Sequence, residues 1–303
     1  MAIGDLYAVD YPSVSDVYYL DTGMYETPEY GALYLLDTPE PAIIDTGIGT
    51  NVDNTLAALA ELGIGREDVS YIIPTHVHLD HAGGAGYLAA ECPAATVVCY
   101  ERGVRHLVDP ERLWAGTRAA VGKQFEFYRE PKPIPEERIR AVTDGDAVEL
   151  GDRRLEVHHA PGHAPHHAVF HSPADDAVFA ADAAGIYAQR HDVVRPTSPP
   201  PNFDFEACLA DIDQLRELAP AVLLYAHYGP AETGGKLDAY EAVLTEWVEE
   251  IRQTRERLDD DAAVVETVAA DVEVIEPWSE RKVRTEAEMN ARGVLRYLDA
   301  QET

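Results

Sequence analysis

The stretch Thr75-His76-Val77-His78-Leu79-Asp80-His81-Ala82-Gly83-Gly84 constrains this chain more than any other. It puts three imidazoles and a carboxylate into the six residues from His76 to His81, directly after an apolar run. Ligand density of that kind is what a metal site requires. Residues 70–74, with Tyr71, Ile72 and Ile73, read as a short buried strand that Pro74 takes out of its sheet. The histidines therefore sit on a loop at a strand end, and residues 82–91 can start a helix behind them. On a loop, side chains need not alternate, so His76 and His78 can hold one ion while Asp80 and His81 turn toward a second. Zn²⁺ accepts such a mixture of N and O ligands.

H-x-H-x-D-H after an apolar strand resembles the signature of the metallo-β-lactamase superfamily. That resemblance asks for an upstream Asp, a further His, a second Asp and a last His, each at a strand end. Asp45 follows Ala42-Ile43-Ile44, and His163 stands in Ala160-Pro161-Gly162-His163. Asp182 follows Val178-Phe179-Ala180-Ala181, and His227 follows Val222-Leu223-Leu224-Tyr225-Ala226. The resemblance covers roughly residues 30 to 230.

What the resemblance implies is specific. His76, His78 and His163 would hold a first ion, Asp80, His81 and His227 a second, and Asp182 would bridge them. Two Zn²⁺ per chain are the first choice, although Mn²⁺ or Fe also occupies mixed N/O sites. Asp45 would orient a ligand or loop from outside the coordination sphere. The implied fold is α/β, a four-layer αββα sandwich over residues 1–232; outside the resemblance, the apolar periodicity of residues 233–303 reads as a helical C-terminal extension. Taken alone, Asp45 reads equally as a turn residue before Gly47, and Asp182 as a turn or cap residue before Ala183-Ala184-Gly185. His158, His159, His166, His167 and His171 crowd the region of His163, and several of them are possible ligands by position alone. The sharp Pro161-Gly162 turn favours His163, with His167 near enough to support the loop.

Elsewhere the pattern alternates strands and helices, as layered α/β packing requires. Residues 32–36 and 42–44 read as a hairpin, and Val52, Leu56, Leu59 and Leu62 recur at helical spacing. Residues 111–123 are weakly helical and lead into Phe125, Phe127 and Tyr128, an insertion that reads equally as a pocket wall, with Arg118 and Lys123 near it, or as a surface loop packed by its own aromatics. A second sheet is expected from residues 139–142, 147–150 and 153–158, and the last strand from residues 221–226. Asp204 reads as the cap of a helix carrying Cys208, Ile212 and Leu215. Beyond Pro230, Leu237, Tyr240, Leu244, Trp247, Val248, Ile251 and Leu258 mark one face of a long helix. That stripe must be buried, over the active site or in a homodimer contact.

Charge restricts the partners. The chain has 55 acidic against 24 basic residues, a formal net charge of −31, and only four lysines, Lys123, Lys132, Lys236 and Lys282. Phosphate binding draws on Lys and Arg, so nucleic acid is not an expected partner and the nuclease branches of the superfamily are disfavoured. Dispersed acidity over a normal core reads as adaptation to high salt, where cations screen self-repulsion. Cys92, Cys99 and Cys208 lack metal-type spacing and read as small core residues in a reducing compartment. With no apolar run of membrane-spanning length and no secretory leader pattern, the expectation is a cytoplasmic protein without a membrane partner.

The expected chemistry follows from two cations sharing a water. They lower its pKa enough to supply hydroxide near neutral pH and stabilise the oxyanion formed at a carbonyl. Asp80 would be both ligand and catalytic residue, orienting that hydroxide. The ligand set resembles the glyoxalase II, or hydroxyacylglutathione hydrolase, and lactonase-like branches, which implies hydrolysis of a small thioester, ester or lactone. The alternative is a mononuclear iron oxygenase similar to persulfide dioxygenases, against which His81 and His227 argue. A non-catalytic module with a relict site is disfavoured because no ligand position is missing.

Overall fold

In the computed structural model, which describes residues 2–302, side-chain alternation within the strands produces the layers. Strands β1 (Leu6–Ala8), β2 (Val17–Asp21), β3 (Ala32–Leu36) and β4 (Ala42–Ile44) form an antiparallel meander. Helix α1 (Val52–Glu61) then crosses to β5 (Tyr71–Ile73), parallel to β4. Helices α2 (Leu79–Ala82) and α3 (Ala85–Glu91) lead to β6 (Thr96–Tyr100). After α4 (Val104–Val108) and α5 (Glu111–Val121) the chain returns to β7 (Ile139–Val142), parallel to β6.

The second sheet takes β8 (Ala147–Glu149), β9 (Arg154–His159), β10 (Ala168–Ser172) and β11 (Ala177–Phe179). A ribbon of β12 (Ile186–Ala188) and β13 (Val193–Arg195), then α6 (Phe205–Leu218), precede β14 (Val222–Tyr225), which lies parallel to β11. β15 (Gly229–Glu232) closes that edge, and α7 (Lys236–Leu258), α8 (Asp261–Asp271) and α9 (Glu280–Gln301) end the chain.

In β3, Tyr34 and Leu36 face the second sheet, whereas Leu33 and Leu35 face α1 and α3. In β14, Val222 and Leu224 face inward, and Leu223 and Tyr225 meet α6 and α7. Two sheets face to face with helices outside are the αββα sandwich. Each fully buried Leu or Phe of the central layer contributes about 1.5–3 kcal/mol relative to exposure. The α7 stripe of Leu237, Tyr240, Leu244, Trp247, Val248 and Ile251 is buried in the same cluster as Val169, Val178 and Leu223 of the second sheet, whereas Leu258 at its end, expected in the stripe, is exposed.

The structure departs from the sequence expectation in four places. Residues 139–142 belong to the first sheet, because the chain returns from α5 to the free edge of β6. The last strand is β15, which follows β14 and includes Pro230, whose lost N–H is tolerated at a sheet edge. The helix expected across residues 82–91 is broken at Gly83-Gly84, where a Cβ on Gly84 would lie 2.3 Å from the Thr46 carbonyl oxygen. Helix α8 and the β12–β13 ribbon carry too weak a periodicity to have been read.

Of the 55 acidic side chains only seven are buried, Asp21, Glu29, Asp45, Asp175, Asp182, Asp211 and Glu286, so the negative charge lies at the surface. The three cysteines are buried and free, and burial pushes the Cys92 thiol up to about 11 and the Cys99 thiol up to about 12. No helix among the described residues is long and apolar enough to cross a membrane.

Candidate metal centre

The ends of the strands converge on one edge of the sandwich. The β5–α2 loop supplies His76 and His78, and α2 supplies Asp80 and His81. The β9–β10 loop carries His163, a 3-10 turn after β11 carries Asp182, and His227 lies between β14 and β15.

Three nitrogens meet first. His76 Nε2 lies 3.0 Å from His78 Nδ1, which lies 3.1 Å from His163 Nε2. Asp80, His81 and His227 form a second group, with Asp80 Oδ2 3.8 Å from His81 Nε2 and 3.6 Å from His227 Nε2. Asp182 reaches both: its Oδ2 is 3.0 Å from His81 Nε2 and 4.0 Å from His76 Nε2. All seven side chains expected as ligands thus come together.

Outer contacts decide which nitrogen faces the centre. His81 Nδ1 donates to Asp45 Oδ2 at 3.0 Å, and His227 Nδ1 donates to the Tyr30 carbonyl at 3.1 Å, so each presents Nε2 inward. Asp45 adopts a left-handed φ of 61° and also accepts from the Thr75 N–H at 2.7 Å, tying β4 to the start of the ligand loop. It orients the loop and contributes no oxygen to either cluster.

Electrostatics separates the two groups. Burial pushes the His76, His78 and His163 rings below their ordinary value, so they are neutral and keep free lone pairs. Burial acts the same way on His81 and His227, but Asp45, Asp80 and Asp182 outweigh it at His81, and Asp182 and Asp80 at His227, so both are raised. Burial would raise the Asp80 and Asp182 carboxyls, but the neighbouring histidines hold both below the usual range.

The donor set fits cations. Buried His163 Nδ1 has no hydrogen-bond partner, and His81 Nε2 and Asp182 Oδ2 face only each other at 3.0 Å without good hydrogen-bond geometry; a buried polar atom left unsatisfied costs about 1–3 kcal/mol. Facing lone pairs on neutral imidazoles 3.0–3.1 Å apart cannot all be satisfied by one another, whereas a divalent ion accepts them together.

The remaining histidines sort by location. His167 is fully buried, donates from Nδ1 to the Ala160 carbonyl at 3.2 Å, and lies in ligand range of His76 and Asp182. His166 receives the Val77 N–H at 3.5 Å, and His159 stacks on Tyr100. Tyr225 and Tyr228 pack in the core. Two supporting groups carry no local sequence signal. Asp211 on α6 accepts the Gly162 N–H at 2.7 Å, and a Cβ on Gly162 would lie 2.3 Å from Cys208 N, so only glycine lets the His163 turn dock there. Glu286 on α9 accepts from the Tyr30 hydroxyl and pairs with Lys282 at 3.0 Å.

A cavity of about 760 Å³ opens over the two clusters. Its wall includes Leu113, Val121, Gln124 and Tyr128 of the insertion, Pro199 to Pro201, and Glu286, Met289 and Asn290 of α9. The cations on this wall are Arg102, Arg105 and Arg112, in place of the Arg118 and Lys123 that the sequence pointed to.

The sequence profile of the metallo-beta-lactamase superfamily matches residues 27–227. The metallo-beta-lactamase fold-containing protein ST1585 of Sulfurisphaera tokodaii is 27% identical over 215 residues, which are 69% of this chain and 77% of that protein. The human acyl-coenzyme A thioesterase MBLAC2 is 26% identical over 55% of this chain and 62% of its own length. The hydroxyacylglutathione hydrolase of Maricaulis maris is 25% identical over 59% of this chain and 52% of its own. The chain therefore spans less than two thirds of either enzyme. The crystal structure of the archaeal ST1585 superposes with a TM-score of 0.70 at 22% identity, covering 93% of this chain and 99% of that one. The profile match and the shared sandwich lead to one conclusion: the chain belongs to the metallo-beta-lactamase superfamily, and its homologues of this fold are metal-dependent hydrolases.

Proposed function

We propose that the chain hydrolyses an activated acyl bond, a thioester, ester or lactone, at a two-ion centre. The observation that carries this reading is Asp182, whose one carboxylate oxygen is within 4.0 Å of a nitrogen in each three-ligand cluster. His76, His78 and His163 would hold one ion, Asp80, His81 and His227 the other, with Asp182 shared. Zn²⁺ suits this N/O set, and Mn²⁺ or Fe is accommodated by the same donors. Such ions, when bound, lower the pKa of a shared water and polarise a carbonyl.

The chain's own groups do the rest. The Asp80 side chain is 23% exposed to the cavity and ionised, so it can accept a hydrogen bond from the attacking water and hold its orientation. Asp45 and the Tyr30 carbonyl keep His81 and His227 from turning. The largely apolar wall receives an acyl chain, and Arg102, Arg105 and Arg112 give a carboxylate-bearing acyl or thiol group a counter-charge. A phosphodiester would have to approach a chain of net charge −31, and a neutral lactone or small thioester does not meet that field.

A substrate panel tests the reading: S-lactoylglutathione, acyl-homoserine lactones, an aryl ester, bis-p-nitrophenyl phosphate and glutathione persulfide, each with Zn²⁺, Mn²⁺ or Fe²⁺ supplied. Turnover of an acyl substrate is expected to exceed that of the phosphodiester. Phosphodiester turnover above every acyl substrate overturns the choice of bond. Oxygen uptake with the persulfide would place the chain with the iron oxygenases.

A further inference from the structure

Away from the cavity, one face of the second sheet gathers a different set of donors. In β9, Leu155 and Val157 point into the central layer, which puts Glu156 and His158 on the opposite face. In β10, Phe170 points inward, and His171 stands directly across from Glu156 on the same outward face as His158. One ligand atom from each of Glu156, His158 and His171 lies within 4.8 Å of the other two. Glu156 Oε2 is 3.5 Å from His171 Nδ1, while its other oxygen takes a hydrogen bond from Arg154 at 2.5 Å.

The second observation is polar. His158 Nε2 and His171 Nδ1 are both shielded from solvent and have no hydrogen-bond partner. Two orphaned ring nitrogens beside one carboxylate are costly unless something between them supplies the missing contacts. The place in the chain gives the cluster a role. The β9–β10 connection is the loop, residues 160–167, that carries His163 and His167.

We propose that Glu156, His158 and His171 form a further divalent-metal site, an N₂O set for Zn²⁺ or a similar borderline ion, which clamps the base of the hairpin bearing His163. Tetrahedral ligands at zinc bond lengths of about 2.1 Å are about 3.4 Å apart, so closure takes only a modest rotation of side chains, chiefly the flexible Glu156. A water completes the coordination, and the rigid cross-strand pair supplies the preorganisation. The site is independent of how many ions the main centre takes.

The test is zinc content after equilibrium dialysis against micromolar Zn²⁺, comparing the parent with His158→Ala/His171→Ala and with Glu156→Gln. The double variant is expected to hold one ion fewer per chain while the ions of the main centre are retained. Glu156→Gln, at a partly exposed position, is expected to bind that ion at least about tenfold more weakly with the fold intact. Micromolar Zn²⁺ should also raise Tm further in the parent than in either variant. Equal zinc content in all three proteins overturns the proposal. If the double variant does not fold, Glu156→Gln decides alone: a parental zinc isotherm would refute the site.

Discussion

The floor and the wall of the cavity are built on different principles. The floor side chains stand at strand ends, five of the seven are buried, and the His81 and His227 rings are fixed by a carboxylate and a backbone carbonyl. The wall comes from the insertion around α5, the proline loop and α9, and its cations Arg102, Arg105 and Arg112 are exposed. Packing holds the floor to one geometry, whereas the wall is free to differ without disturbing the sandwich. The floor therefore sets the reaction, and the wall sets which substrate reaches it.

The largest effect is expected where the floor joins its two halves. Asp182→Asn removes the charge that lets one oxygen serve both clusters, so turnover should fall by about 10³ or more together with loss of one ion. Elemental analysis and kcat measured on the same preparation check this. An Asn variant that keeps its ions and most of its activity would break the claim that the floor acts as one unit.

A smaller effect should appear where the wall touches the floor. The Tyr30 ring stacks on His227 with centroids 5.1 Å apart, and its hydroxyl donates to Glu286 of α9. Lys282 lies over the rings of Tyr30 and Trp278 and pairs with Glu286, so α9 is anchored through this cluster. Tyr30→Phe keeps the stacking and removes the anchor, and should lower kcat by about tenfold with little change in KM. A change confined to KM would mean that α9 acts on substrate alone, which would sharpen the division between floor and wall.

The two regions also differ in how legible they were. The ligand stretch from His76 to His81 is contiguous, so local pattern pointed to it, whereas Asp45, Asp182 and His227 were marked out by the superfamily resemblance, Asp45 and Asp182 being readable on their own as turn or cap residues. Pro161-Gly162 singled out His163 among crowded histidines, and the close approach of Gly162 to Cys208 shows why a sharp turn is needed there. The wall left no such trace. Glu286 meets Tyr30 across more than 250 positions of sequence, and no periodicity encodes that approach. The grip on His227 is a backbone carbonyl, which every residue type possesses. The cations differ for the same reason: Arg118 lies over the Phe125 ring, 5.7 Å from its centroid, but the fold brings Arg102 before α4, Arg105 on α4 and Arg112 on α5 to the cavity.

The effect expected to touch turnover least concerns a group behind the floor; it is read in stability and turns on the sign of a titration. Asp211 accepts the Gly162 N–H at 2.7 Å beneath His163, and burial pushes its carboxyl up to about 7, against that hydrogen bond and with help from Asp204. A folded pKa above the unfolded value means that the folded chain binds the proton more tightly. As pH rises from about 4 to about 7, the unfolded chain releases its proton first, so this group's contribution to stability declines over that window and is flat above it. Asp211→Asn stays neutral throughout and still offers an oxygen to Gly162. It should match the parent near pH 4 and gain on it up to about pH 8, where the difference is on the order of 2 kcal/mol, or a few degrees in Tm. Thermal unfolding of both proteins across this range gives the answer. A variant less stable than the parent at the alkaline end would show that the His163 turn needs a charged acceptor, and would place Asp211 with the ionised carboxylates of the floor instead of among the neutral contacts that brace it.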